Sequence, residues 1–374
     1  ENNMLKNKNK GITLVALVVT IVVLLILAGI SISVLTNTGI FQKAKDAKQK
    51  SANAELDQNT KLDSYEEEIS NYLPQDVKQA IKKGKPLSTD KNTEIVDEKG
   101  NKIVIPAGFK VTGDATTVDK GIVIEDATVD KDGKPTATAG SQFVWVPVGK
   151  ITKEDGTKTE IKLNRYTFAS DGTPTEKNNE VINSYFSETE SKGNTVAKNI
   201  VNFTNSVKAN GGYYIGRYEA RTTTARTASG NALTQITEKG TDQVYNYVTQ
   251  KQAAEQAQGM YTSNNFTSDL MNSYAWDTAI TFIQKCTDKT NYANQTSLNK
   301  TLSQTGTTND NPCNIFDMAS NVREWTTETS SRSYGPCVNR GGIYFSSSYY
   351  TSGRDFDSTS YSIDNLGFRP LLYL

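Results

Sequence analysis

Three blocks near the C-terminus constrain this chain more than any other feature: Asn314-Ile-Phe-Asp317-Met-Ala-Ser320-Asn321-Val322-Arg323-Glu324-Trp325, Asn339-Arg340-Gly341-Gly342 and Gly367-Phe368-Arg369-Pro370. Between the second and third blocks the chain changes character. From Ile343 to Asp364 it is dominated by Ser and Tyr, joined by Asp, Thr and Phe. Tyr offers a large, rigid, amphipathic contact at low entropy cost, and Ser offers adaptable hydrogen bonding. That is the composition of a binding surface such as an antibody paratope. Rigid blocks on both sides point to a loop held for presentation. The plainer reading is a polar loop with exposed tyrosines. The candidate ligand contacts are Tyr344, Phe345, Ser347, Tyr349, Tyr350, Asp355, Asp357, Ser358, Ser360 and Tyr361, with the aromatics as anchors and the Ser/Asp set as orienting polar contacts.

The same region is biased in a second way. Lys, Glu, Gln, Met and Trp make up roughly a fifth of the chain, yet none occurs from Val338 to Leu374. These residues cannot be reached from an AAC asparagine codon by changing its adenines. Tyr, Ser, Thr, Asp, Ile, Phe, Gly and Asn can. The three blocks resemble the formylglycine-generating-enzyme-like (sulfatase-modifying factor) branch of the C-type lectin fold, whose pattern is Asp-Met-Ala-Gly-Asn-Val-x-Glu-Trp, Arg-Gly-Gly and Gly-Phe-Arg. Two upstream stretches, Gln142-Phe-Val-Trp145-Val-Pro-Val148 and Gly211-Gly-Tyr-Tyr-Ile215-Gly-Arg217-Tyr-Glu219-Ala220, extend the likeness, so it runs in order through five motifs over 140–374. It implies an α+β, C-type-lectin-like domain there. Variable proteins of diversity-generating retroelements use this branch and place adenine-mutagenised codons between Arg-Gly-Gly and Gly-Phe-Arg. The resemblance therefore implies a hypervariable ligand site at 343–364. The alternative is an ordinary family member with a fixed polar face.

The resemblance also implies a structural Ca²⁺, held by the side chains of Asp317 and Glu324 and the backbone carbonyls of Ser320 and Val322. Hard oxygen donors suit that ion. The chain departs from the family at Ser320, where glycine is usual. The alternative is that Asp317 and Glu324 bond nearby backbone or Arg323. Trp325, Arg340 and Arg369 are expected to lock the core and the closing strands. Enzymatic relatives hold copper by paired cysteines shortly after Arg-Gly-Gly, or iron by histidines. This chain has no cysteine after Arg340 and no histidine anywhere, so the expectation is a binding protein and not an enzyme. Without histidine, Ser-His-Asp and Cys-His catalysis, a histidine-carboxylate iron site and His-ligated zinc are all excluded. Asp355, Asp357 and Asp364 read as solvated loop carboxylates, not acid–base groups.

The three cysteines, Cys286, Cys313 and Cys337, do not make a disulfide framework, although Cys313 and Cys337 flank the Glu324-Trp325 block and are open to pairing. Net charge is zero and no basic stripe carries interleaved aromatics, so a nucleic-acid partner is not expected.

Ahead of all this lies an uncharged run, Ile12 to Leu35, long enough to cross a bilayer. Lys6, Lys8 and Lys10 place the N-terminus on the cytoplasmic side and the remainder outside the cell. The basic leader ending in Gly11, followed by Ile12-Thr-Leu-Val, resembles the processing site of type IV prepilins. That likeness implies cleavage after Gly11 and pilin-type neighbours. It departs at Ala16, where most pilins carry glutamate, which points to a minor subunit or a simple anchor.

The expected organisation is a leader at 1–11, a transmembrane helix at 12–36, a stalk helix at 37–74, a linker at 75–92, a small β unit at 93–139 and the lectin-like domain at 140–374. The stalk carries a thin apolar stripe (Phe41, Ala44, Leu56, Leu62, Tyr65, Ile69) and ends at Pro74. Spacing from Leu270 to Gln284 predicts a helix with Tyr274, Trp276 and Phe282 in the core. Sparse cysteine fits an exported protein of a Gram-positive bacterium or its phage. The combined reading is a membrane-anchored surface protein that binds a protein or glycan. The alternative is a pilus or pseudopilus subunit with a decorative distal domain.

Overall fold

The structure is a computed structural model and describes residues 19–25, 86–177, 200–297, 300–330 and 332–374. The chain divides into two units, Glu1–Pro74 and Gln75–Leu374. In the first unit the described residues, 19–25, are helical with exposed side chains. Among the described residues no helix is long and apolar enough to cross a membrane. The expected leader and stalk, and the transmembrane segment apart from 19–25, lie outside the described residues.

The first strands of the second unit among the described residues form a hairpin, β1 (Thr93–Val96) and β2 (Lys102–Ile105), closed by a turn from Asp97 to Asn101. Asp97 Oδ1 accepts the amides of Lys99 and Asn101 at 2.9 and 2.8 Å, an arrangement that mimics a backbone turn. Strands β3 (Phe109–Thr112), β4 (Val123–Asp126) and β5 (Gln142–Pro147) follow. Two small hairpins come next, β6 (Gly149–Thr152) with β7 (Lys158–Ile161), and β8 (Tyr166–Phe168) with β9 (Pro174–Glu176). Their strands, three or four residues long, are too short to show alternation in the sequence.

Helix α1 (Ile200–Asn210) buries Ile200, Phe203 and Val207 on one face. After β10 (Gly212–Gly216) and the two-residue pair β11 (Arg221–Thr222) and β12 (Gln243–Val244) comes α2 (Gln250–Gly259), opened by a Thr249–Gln252 capping box. Then come β13 (Thr267–Leu270) and α3 (Ser273–Cys286). Asn272 caps α3 by accepting the Ala275 amide at 2.9 Å. Every residue of α3 from Ser273 to Ile283 is buried, so it is a core helix, with Tyr274, Trp276 and Phe282 inside as expected. The chain closes with β14 (Arg323–Thr329), β15 (Cys337–Arg340), β16 (Arg354–Asp357), β17 (Leu366–Phe368) and β18 (Pro370–Tyr373).

Two sheets organise these strands. One has six strands in the order β13-β18-β10-β5-β4-β3, antiparallel throughout. The other has four, β16-β15-β14-β17, in which β14 and β17 run parallel. The expected boundary at 139/140 is therefore corrected. β4 pairs with β5 through Val123–Val144 and Ile124–Phe143, so β3 and β4 continue the main sheet. These apolar residues are fully buried and need β5 as a neighbour. β10 ends at Gly216, and the two charged residues that follow within the stretch go to different partners. Arg217 bonds Gln142 Oε1 at 2.7 Å, and Glu219 is buried under Asn321.

Candidate ligand-binding face

The run 343–364 hangs from the four-stranded sheet, between the end of β15 and the start of β17. Its entry is fixed by contact. A Cβ on Gly342 would stand 2.0 Å from the Ala319 carbonyl oxygen, so the Arg-Gly-Gly block needs glycine where it crosses the 317–321 turn. The middle of the run is pinned by its backbone. Thr351 and Ser352 donate their amides to Gln295 and Ala293 carbonyls at 3.0 and 2.9 Å. Trp276 Nε1 donates to Thr351 O at 2.9 Å, and Arg340 Nε to Gly353 O at 2.8 Å. Tyr350 forms an isolated bridge with Thr296.

Four of the ten candidate side chains are exposed on this pinned backbone and six are half-buried. Phe345 is 52% exposed and Tyr350 45%, and Ser347 and Ser360 are exposed. Tyr344, Tyr349, Ser358 and Tyr361 are half-buried. Tyr344 packs edge-on against Phe345 with centroids 5.1 Å apart, and its hydroxyl donates to Asp364 at 3.1 Å. Burial and the Asp364 carboxylate push the Tyr344 hydroxyl above its ordinary pKa.

Asp355 and Asp357 lie on one face of β16, as period-two alternation requires. Both turn to Arg323. Asp355 is ion-paired with it, Asp357 stands 3.9 Å away and also accepts from Asn339 Nδ2 at 2.7 Å. Tyr349 lies 4.9 Å from the same guanidinium. Burial raises the Asp357 carboxyl, opposed by Arg323. The two aspartates are thus joined to the frame through Arg323, a residue the sequence reading considered only as a partner for Asp317 and Glu324.

Phe356 points to the opposite face, where Arg332 covers its ring at 4.2 Å. Arg332 also donates to the Tyr334 hydroxyl at 3.2 Å, and Tyr334 is 70% exposed. Arg332, Tyr334 and Phe356 were missed. The signal was the turn Tyr334-Gly335-Pro336, which displays an aromatic at a hairpin tip.

Two buried ionic networks hold the face. In the first, Asp277 pairs with Arg340 at 2.5 Å and Arg354 at 2.6 Å, while Glu328 pairs with Arg354 at 2.9 Å and with Arg165. Burial works against the Asp277 charge, yet Arg340 and Arg354 hold its carboxyl below the usual carboxylate range. In the second, Arg369 pairs with Glu324 at 2.6 Å and donates to the Gly216 and Phe316 carbonyls at 2.8 and 2.6 Å. It sits between β17 and β18, where the chain passes from one sheet to the other. Trp325, Arg340 and Arg369 are fully buried, as expected of locking residues.

The second network bears on the Ca²⁺ assignment. Both Glu324 oxygens are taken by Arg369. Asp317 Oδ1 accepts from Thr308 and, at 2.8 Å, from Ser320; its Oδ2 accepts the Gly306 amide at 3.3 Å. The Val322 amide is held by Glu219 at 3.1 Å. Among the described residues no group of three or more His, Cys, Asp or Glu is placed to hold a metal ion. In the set Asp317, Ser320, Val322 and Glu324, both carboxylates thus already have partners, Glu324 in Arg369 and Asp317 in Thr308, Ser320 and the Gly306 amide. Arg323 is not the partner of either carboxylate. Nor do Cys313 and Cys337 bridge: no cysteine is in a disulfide, and Cys337 lies in β15 opposite Asp357.

Two sheets exchanging at Arg369 around a buried helix, with a long irregular excursion between β15 and β17, make a β-rich, C-type-lectin-like fold. Residues 250–372 match the model of the Sulfatase-modifying factor enzyme 1-like domain. Among solved structures, "Treponema denticola variable protein 1" is similar at 14% identity and a TM-score of 0.34, covering 64% of this chain and 99% of that one. "Major Tropism Determinant P3c Variant" is similar at 14% identity and a TM-score of 0.29, covering 75% of this chain and 81% of that one. No curated protein matches the chain.

Proposed function

We propose that this chain is a ligand-binding protein displayed at the cell surface on an N-terminal membrane anchor, and that 343–364 is its binding face and a site of sequence diversification. The observation that carries this is the split between backbone and side chains in the run. Its backbone is tied at Thr351, Ser352 and Gly353, while Phe345, Ser347, Tyr350 and Ser360 point to solvent. Exchangeable side chains on a fixed backbone give new surfaces without new folds. Aromatic anchors with adaptable hydroxyls suit a protein or glycan ligand. The uncharged run from Ile12 to Leu35 supports the anchor. The reading is of a binder and not an oxidoreductase, since the chain offers no histidine and no cysteine after Arg-Gly-Gly.

The test uses immobilised host-cell surface extracts and glycan arrays, probed with the wild type and a Phe345→Ser/Tyr350→Ser double variant. The expected result is binding that falls at least about tenfold in the variant with an unchanged melting temperature, the loss of two anchors. Binding that survives the double substitution contradicts the assignment of the face.

A further inference from the structure

Away from the ligand face, a cavity of about 380 Å³ is lined by Asp119, Lys120, Lys153, Asp288 and two cysteines, Cys286 and Cys313. Cys286 is the last residue of α3, and Cys313 lies in the 3-10 turn Pro312–Asn314. The turn is held rigidly. Cys313 adopts a left-handed backbone, φ 50°, and its Sγ donates to Asp119 O at 3.4 Å. A Cβ on Gly121 would stand 1.8 Å from the Cys313 carbonyl oxygen, so only glycine permits this approach. Asn314 Nδ2 ties the turn to the Lys120 and Gly121 carbonyls at 3.1 and 2.9 Å. Neither thiol is in a disulfide.

We propose that Cys286 and Cys313 form an oxidisable dithiol that closes to a disulfide by exchange with a small-molecule disulfide. The cavity favours uncharged sulfur. Burial pushes the Cys286 thiol up to about 12, and burial, then the Cys286 thiol that lines the same cavity, pushes Cys313 well above its ordinary value. Both the dithiol and the disulfide are neutral.

The chemistry balances simply. The Cys286 thiolate attacks one sulfur of the small disulfide and expels the other as thiolate. Cys313 loses its proton and attacks Cys286 Sγ, expelling the second thiolate. Two S–H bonds are lost, one S–S bond forms, and two electrons pass to the small disulfide, which leaves as two thiols.

Closure has a consequence for the ligand face. It fastens both ends of the segment 287–312, whose Ala293 and Gln295 carbonyls hold Ser352 and Thr351. Oxidation would therefore stiffen the support of the run from behind. The dithiol chemistry itself does not rest on the proposed function.

The test incubates the full chain with oxidised glutathione, then maps peptides after alkylation. Cys286 is expected linked to Cys313, with Cys337 recovered as a thiol. Closure should quicken about tenfold per pH unit between pH 7 and 10, following the thiolate fraction. Amide exchange at Thr351 and Ser352 should slow about threefold in the linked form. In Cys313→Ser, a stable Cys286–glutathione adduct should accumulate instead. A persistent adduct at Cys286 in the wild type, or both thiols alkylating as in the reduced protein, overturns the pair. A link without slower exchange at Thr351 and Ser352 overturns its coupling to the ligand face.

Discussion

Glu238 is a carboxyl placed at a cost in this fold. It is fully buried and, among the described residues, neither carboxylate oxygen has a hydrogen-bond partner. Burial pushes its pKa well above the ordinary value, the Glu324 carboxylate adds to this, and Arg369 opposes it. Glu219 is raised in the same way, by burial and then by Asp317 and Glu324. An acid whose folded pKa is raised binds its proton more tightly in the folded state. Stability then falls as pH rises from the unfolded value near 4.5 towards the raised folded value, by up to about 1.4 kcal/mol per pH unit for one group. We expect wild-type stability to decline from pH 4.5 to 7, and Glu238→Gln to flatten the slope, measured by denaturant unfolding across that range. An unchanged slope in the variant contradicts this reading of Glu238. At the exposed residues the expectation is the reverse. Phe345→Ser and Tyr350→Ser should alter stability by less than about 0.5 kcal/mol, because neither side chain fills the core.

At the scale of elements, β16 is held by charge. Arg354 at its start joins Asp277 of α3 and Glu328 of β14, and Arg340 of β15 joins the same Asp277. Asp277→Ala leaves three guanidinium groups, those of Arg165, Arg340 and Arg354, sharing the one carboxylate of Glu328, and should cost about 3–5 kcal/mol. Hydrogen exchange at 354–357 should quicken in that variant, while exchange in β10 and β5 of the other sheet responds only to the global loss.

These ties also explain what the sequence could and could not reveal. The blocks around Trp325, Arg340 and Phe368 were legible as rigid structure, and they form β14, β15 and β17. The Ser/Tyr composition of 343–364 was legible as a presented surface. The partner of Glu324 was not, because Arg369 is distant in sequence and a carboxylate in a glycine-poor turn reads equally as a metal ligand. The place of β3 and β4 was not either: Ile122-Val-Ile announces a buried strand but not its neighbour. Asp277, inside a helical apolar pattern, gave no sign of two arginine partners.

At the scale of the whole molecule, the frame closes on its own buried ion pairs. Glu324 is neutralised by Arg369, so we expect the frame to stand without Ca²⁺. Melting in EGTA and in millimolar Ca²⁺ should give the same midpoint, whereas a midpoint that climbs with Ca²⁺ concentration would reveal a site in the folded state.

The central claim is that 343–364 is a diversified binding face on an invariant scaffold. The most direct measurement is to sequence this locus in many cells of one population. The account predicts substitutions at adenine-derived codons for exposed residues such as Phe345, Ser347, Tyr350 and Ser360, with Arg340, Thr351, Arg354 and Arg369 unchanged and a near-copy template close by. A run that is invariant across the population, or changes scattered equally through the buried frame, would contradict it.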